Sequence, residues 1–350
     1  MSLPEPRQAF ELAGHDAAAA RLARIAASGR IPHGWLFSGP RGIGKATLAW
    51  RFARALLGAA HDAQLRSEPT DRVFRMLASG GHPDLHVLEV EPSRGKRAVI
   101  KVDQARDLKE AFGTTAGLGG RRVLIVDAAD DLNPQSANAI LKLLEEPPPG
   151  AVLLLINHVP GRILPTIASR CIRLRLKPLD ELTLARLLAE ALPERSAADR
   201  SALIPFAQGS IGRALWLDAV GFLRLYQDVL QGCIEALQGG SVMELAAKIA
   251  AALQATGAQA PFEVPRAILH RALQNAAGRV PPGSDEAERA ALSTLAARRP
   301  LDAWGAPWDN LARLAARFEP QSLSADAASL AAATMLMGDP GDRIVLPEPW

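Results

Sequence analysis

The chain has 350 residues, 48% of them hydrophobic and 22% charged, which excludes disorder, a collagen repeat and a disulfide scaffold and leaves room for two or three domains. Forty basic against 37 acidic residues give a net charge of +3, too small for a chain-wide nucleic-acid footprint. No apolar run approaches the roughly 18–20 residues that span a bilayer, the start MSLPEPRQAFELAG has no signal-peptide core, and two cysteines, Cys171 and Cys233, cannot make a four-cysteine zinc site, so a cytoplasmic protein without membrane contact or zinc is expected.

Residues 34–38 (GWLFS) form a short apolar run that ends in a glycine-rich turn, and helical spacing follows through Leu48, Phe52, Leu56 and Leu57. Residues 60–83 are irregular, with room for one helix. DLHVLEV at 84–90 alternates as a strand does. Asp103 stands as the N-cap of a helix through DQARDLKEAF. After the GLGG turn at 117–120, RRVLIVD is a continuous apolar strand, and AVLLLIN at 151–157 is another. Strands without a polar face are buried on both sides, as in parallel sheets. Between them Asn133-Pro134 reads as N-cap and first residue of a helix that must stop at prolines 147–149. IRLRL at 172–176 alternates like a half-buried strand, and the pattern from Pro178 onward is helical up to an extended, Pro/Gly-rich tail at 338–350. The expected fold class is an α/β P-loop domain with a parallel sheet over 1–178, a small helical lid over 179–215 and an all-α C-terminal domain over 216–350.

GPRGIGKAT at 39–47 carries the strongest chemistry. It follows a predicted strand and opens a predicted helix, the context a phosphate-binding loop requires. Gly39, Gly42 and Gly44 permit the tight turn, backbone N–H groups and the helix start face the phosphates, and Lys45 neutralises their oxygens. The residue after the lysine should be Ser or Thr, whose hydroxyl holds Mg²⁺, but here it is Ala46. Thr47, one residue on, is turned about 100° round the helix and is not expected to substitute. Asp127 ends a buried strand, where a metal-orienting carboxylate belongs, and also where a strand-end cap belongs.

Five stretches in order carry a resemblance: HGWLFSGPRGIGKATLAWRFARALL, IKVDQAR, RRVLIVDAADDLNPQSANAILKLLEEPPPG, LPTIASRC and GSIGRAL. Over roughly residues 10–217 the chain resembles the AAA+ clamp-loader subunits of bacterial DNA polymerase III. The resemblance implies a AAA+ core with a helical collar and an ATP site at Gly39, Gly42, Gly44, Lys45, Ala46, Thr47, Asp127 and Asn157, the last as a γ-phosphate sensor. It implies that Arg170, in the Ser169-Arg170-Cys171 motif, reaches the ATP of a neighbouring subunit as an arginine finger. It places Gly14-His15 near the adenine. Such ATPases follow the strand-end Asp with a water-activating Glu, but Ala128 stands there, and Gly212 stands where a sensor arginine is expected. The implied chain is a subunit that hydrolyses ATP poorly or not at all and uses Mg²⁺ only if nucleotide binds. Its implied partners are the gamma/tau and delta subunits and, through the complex, the sliding clamp and primed DNA.

The resemblance also implies a four-cysteine zinc module after the phosphate-loop helix, which this chain must have lost or rebuilt without metal, since His61, His82 and His86 come without thiolates. Glu145 and Glu146 oppose the dipole of the helix they end, which reads either as a contact, such as one with a neighbouring subunit, or as an exposed helix end that tolerates the cost. Trp304 and Trp308 fit core and interface equally. Two other functions remain open from the residues: an active motor ATPase of the same fold, which needs Ala46 and Ala128 compensated, and a P-loop kinase for a small metabolite, which needs a lid rich in catalytic arginines.

Overall fold

The computed structural model describes residues 4–89, 120–159, 161–257, 262–318 and 324–337. The helix expected from Asp103, the IKVDQAR segment and the tail at 338–350 lie outside the described residues. Contacts divide the chain into two units, one of Met1–Pro193 with Gln208–Arg213, the other of Glu194–Ala207 with Ala214–Trp350.

The first unit is built on a five-stranded sheet: β1 (Gly34–Ser38), β2 (Leu85–Glu89), β3 (Arg122–Asp127), β4 (Ala151–Asn157) and β5 (Ile172–Arg175). The order is β2-β3-β4-β1-β5 and every pairing is parallel. Alternate side chains leave opposite faces of a strand, so an apolar strand feeds two cores at once. One face sends Trp35, Phe37, Val123, Ile125, Leu154 and Ile156 against α1 (Asp16–Ser28) and α2 (Lys45–Leu56). The other sends Leu36, Leu124, Val126, Leu153 and Leu155 against α4 (Pro134–Glu145) and α5 (Pro165–Ser169). β5 lies at an edge and pays no such double burial: Leu174 is buried between exposed Arg173 and Arg175. The glycine-rich loop leaves the carboxyl end of β1, a strand flanked on both sides, where open parallel sheets bind their ligands.

The helices of this unit begin and end as their residues dictate. Asn133 caps α4 by accepting from Ser136 N at 2.8 Å, Pro134 supplies the first turn, and the helix stops at Glu145 before the prolines. Asp180 caps α6 (Glu181–Ala191) through Thr183 N, also at 2.8 Å. The segment after α2 contains one helix, α3 (Arg72–Ala78), and is held by protein groups. Asp62 Oδ1 accepts from Gln64 N at 2.7 Å and Arg66 N at 2.9 Å, turning the loop. Buried Arg54 stacks 4.0 Å over Phe74 and donates to the carbonyls of Ala9 and Arg7, while Arg51 donates to those of Phe10 and Gln64. Among the described residues no group of three or more His, Cys, Asp or Glu is placed to hold a metal ion.

Among the described residues the second unit is helical: α7 (Ala197–Ala207), the second part of α8 (Ile211–Ala219), α9 (Phe222–Leu237), α10 (Val242–Thr256), α11 (Glu263–Ala276), α12 (Glu286–Ala296), α13 (Gly305–Arg317) and α14 (Ala325–Met337). α10 packs on α9 and α14. A buried polar knot ties α9, α11 and α12: Arg271 Nε lies 2.7 Å from Glu288 Oε1, which also accepts from Tyr226 OH at 2.6 Å. Trp304 is fully buried and belongs to the core. Among the described residues no helix is long and apolar enough to cross a membrane.

Candidate functional site

The loop between β1 and α2 turns on Gly39, Gly42 and Gly44, whose φ angles of +150°, +76° and +100° are ones that L side chains rarely adopt. A Cβ on Gly39 would meet the Leu176 carbonyl oxygen at 2.5 Å. One on Gly42 would meet Ser210 Oγ at 2.6 Å and Gly212 Cα at 2.9 Å. Four consecutive loop carbonyls are engaged by the same chain. Pro40 O accepts from Lys45 Nζ at 2.5 Å, Arg41 O from Ser210 Oγ at 2.8 Å, Gly42 O from Gly212 N at 3.0 Å, and Ile43 O from His15 Nε2 at 2.7 Å. A loop whose carbonyls are taken from outside keeps its N–H groups for an anion. Ala46 and Thr47 follow in the first turn of α2, both half-buried.

Lys45 is only 2% exposed. Burial pushes its ammonium down to about 8, opposed by the charges of Asp127 and Asp130 and reinforced by that of Arg41. His15, 7% exposed, is also pushed down by burial, against the Ile43 hydrogen bond that raises it. Its imidazole braces the phosphate loop from the start of α1.

The ends of β3 and β4 complete this side. Asp127 Oδ1 lies 3.6 Å from His158 Nε2. Asp130, in the single 3-10 turn after β3, accepts from His158 N at 3.0 Å and Val159 N at 3.2 Å. Asn157 is 1% exposed; its Oδ1 accepts from Val159 N at 3.1 Å and its backbone oxygen from Gly39 N at 3.3 Å. Asn157 Nδ2 and His158 Nδ1 are buried without a hydrogen-bond partner. Such orphans cost about 1–3 kcal/mol each and are rare in finished cores.

Lys45, Asp127, Asn157 and the glycine loop thus converge at the carboxyl end of the sheet, and Arg170 does not join them. It follows α5 and enters β5 beside the start of β1, where a Cβ on Gly34 would meet Arg170 O at 2.9 Å. Its guanidinium donates through Nη1 to Thr166 O at 3.0 Å and through Nη2 to Glu145 Oε1 at 2.9 Å. The contact hinted at by the acid at the end of α4 is therefore made within the chain. Cys171 packs on Gly34, and burial pushes its thiol up to about 12, so it is a packing residue.

Ser210, Gly212, Asp130 and His158 are contacts that sequence reasoning missed. GSIGRAL drew notice for the resemblance it helps carry and for a missing sensor arginine, yet its serine and glycine close over the phosphate loop. The signal was present in its small residues, since Gly42 and Gly212 approach to within hydrogen-bond distance only because neither carries a side chain.

The family model described as "DNA polymerase III, delta subunit" matches residues 14–180, a little under half of the chain. A DNA polymerase III subunit delta' from Pseudomonas aeruginosa is 39% identical over 200 residues, which are 57% of this chain and 60% of the relative. The namesake from Bacillus subtilis is 34% identical over 152 residues, 43% of this chain and 44% of its own. Residues 14–180 are thus similar to delta-prime subunits of DNA polymerase III. The chain therefore spans about three fifths of the first of these delta-prime relatives and less than half of the second. A tau/gamma subunit from Haemophilus influenzae is 31% identical over 216 residues, 61% of this chain and 30% of the relative. The family-model match contains the phosphate loop, Asp127, Asn157 and the Arg170 turn, and ends before the Ser210–Gly212 cover.

Proposed function

We propose that this chain is a delta-prime clamp-loader subunit that hydrolyses ATP poorly or not at all and lends Arg170 in trans to a neighbouring ATPase subunit. Its partners are gamma/tau and delta subunits and, through the complex, the sliding clamp and primed DNA. The observation that carries this reading is the position of Arg170. It stands level with Gly34, five residues of strand from Gly39, about 17 Å at ~3.3 Å per residue, so it cannot serve its own phosphate loop. An exposed guanidinium beyond reach of its own loop suits a site supplied by another subunit, where its charge stabilises the transferring phosphate.

The phosphate loop fits a nucleotide's phosphates in its glycines, its N–H groups, Lys45 and the orphaned amide of Asn157. The donor set for Mg²⁺ fits less well. Ala46 offers no hydroxyl, and Asp127 faces His158. Ala128 offers no carboxylate to activate water. Nucleotide held here would be retained rather than turned over.

The test is DNA-stimulated ATPase of the chain co-assembled with gamma/tau- and delta-type subunits. Arg170→Ala is expected to lower the rate by about 10³-fold, the usual worth of an arginine finger. The chain alone is expected to show negligible turnover; robust turnover by the purified chain, which the motor-ATPase reading requires, would overturn the proposal.

A further inference from the structure

Glu145 ends α4 with a carboxylate at the helix terminus that already carries partial negative charge, an unfavourable place unless a cation offsets it. Arg170 is that cation, 2.9 Å away. The same guanidinium is bound on its other side by Thr166 O at 3.0 Å and Ser169 Oγ at 3.4 Å. Acceptors from two helices thus fix the plane of the fork, while the side chain stays 38% exposed and Glu145 43% exposed. An arginine otherwise has many rotamers to lose when it engages a target.

The base beneath the pair is closely packed. A Cβ on Gly34 would meet Arg170 O and Leu144 Cδ2, both at 2.9 Å, and Cys171 Sγ at 3.3 Å, so the end of α4 and the Arg170 turn close on one glycine. His33 Nε2 bonds Leu144 O at 3.1 Å from the same strand entry. Glu145 and Arg170 therefore stand on one packed base.

We propose that Glu145 is a positioning residue for Arg170, holding the guanidinium pre-oriented for the phosphates of a nucleotide bound by a neighbouring subunit. The inference rests on the finger reading above. Glu145 acts only through Arg170. Its effect belongs in kcat, because a donor already oriented loses less freedom in reaching the transition state, while nucleotide affinity and subunit docking are set elsewhere.

The test uses the assembled complex and measures kcat, KM for ATP and subunit stoichiometry for Glu145→Ala, Glu145→Gln, Glu146→Ala, Arg170→Ala and the Glu145→Ala/Arg170→Ala pair. Glu145→Ala should lower kcat about tenfold with KM and stoichiometry unchanged. Glu145→Gln, which keeps an acceptor, should fall between it and wild type. Glu146→Ala removes the same charge one residue on and should match wild type, and the pair should equal Arg170→Ala alone. An unchanged or raised kcat for Glu145→Ala beside a defective Arg170→Ala overturns the positioning role and leaves the finger standing. An equal loss in Glu146→Ala, or a loss from Glu145→Ala on top of Arg170→Ala, also overturns it. An unaffected Arg170→Ala overturns both.

Discussion

Lys45 and Arg170 are two cations of one domain in opposite surroundings. Lys45 is sealed under its loop, donates to the loop's own Pro40 carbonyl, and sits where Ser210, Gly212 and His15 occupy the remaining carbonyls. Arg170 stands in solvent on one ion pair and two local hydrogen bonds. The loop is integrated into the fold that surrounds it, so altering it should cost stability first. The Arg170 side chain rests on exposed contacts that contribute little to folding, so altering it should cost mainly what it does for a partner.

The largest effect expected on the isolated chain is from Gly39→Ala. A Cβ there meets backbone at 2.5 Å, so about 2–4 kcal/mol should be lost in urea unfolding. If the loss is small, the loop is softer than its packing implies. Lys45 gives a pH signature of similar size. The unfolded lysine keeps its proton to 10.5 and the folded one loses it near 8, so between those values the unfolded chain binds more protons and stability rises with pH. The rise should be of order 3 kcal/mol relative to Lys45→Met, measured by unfolding from pH 7 to 11. A flat difference would mean that Lys45 is solvated. Ser210→Ala removes the bond to Arg41 O and the acceptor for Arg213 N and should cost about 1–2 kcal/mol. Arg170→Ala should change the chain's stability by no more than about 0.5 kcal/mol, since exposed ion pairs contribute little. A larger loss would make the turn structural and erase the contrast.

Much of this was legible in the sequence. GWLFS and AVLLLIN occupy β1 and β4 residue for residue, because a strand buried on both faces leaves no polar position to blur its ends. Asn133-Pro134 marked a helix start because cap and first turn use local chemistry. The glycine spacing and Lys45 named the phosphate loop for the same reason. The cover on that loop was not legible, since Ser210 reaches Arg41 across 169 positions and nothing local requires it. The packing of the segment after α2 was equally silent, because arginines that bind carbonyls of residues 7–10 look like any other arginines in a basic helix.

Local patterns, then, determined the strands, the helix starts, the phosphate loop and the missing hydroxyl at Ala46, because each depends on residues within a turn or two of one another. The tertiary structure alone decided which cation faces inward. Strand order put Arg170 at the amino end of the sheet and Lys45 at the carboxyl end, and packing around Gly34 and Gly42 set Glu145 beside the one and Ser210 beside the carbonyl next to the other. Those contacts join residues far apart in sequence, and their energies exist only once the chain has closed on itself.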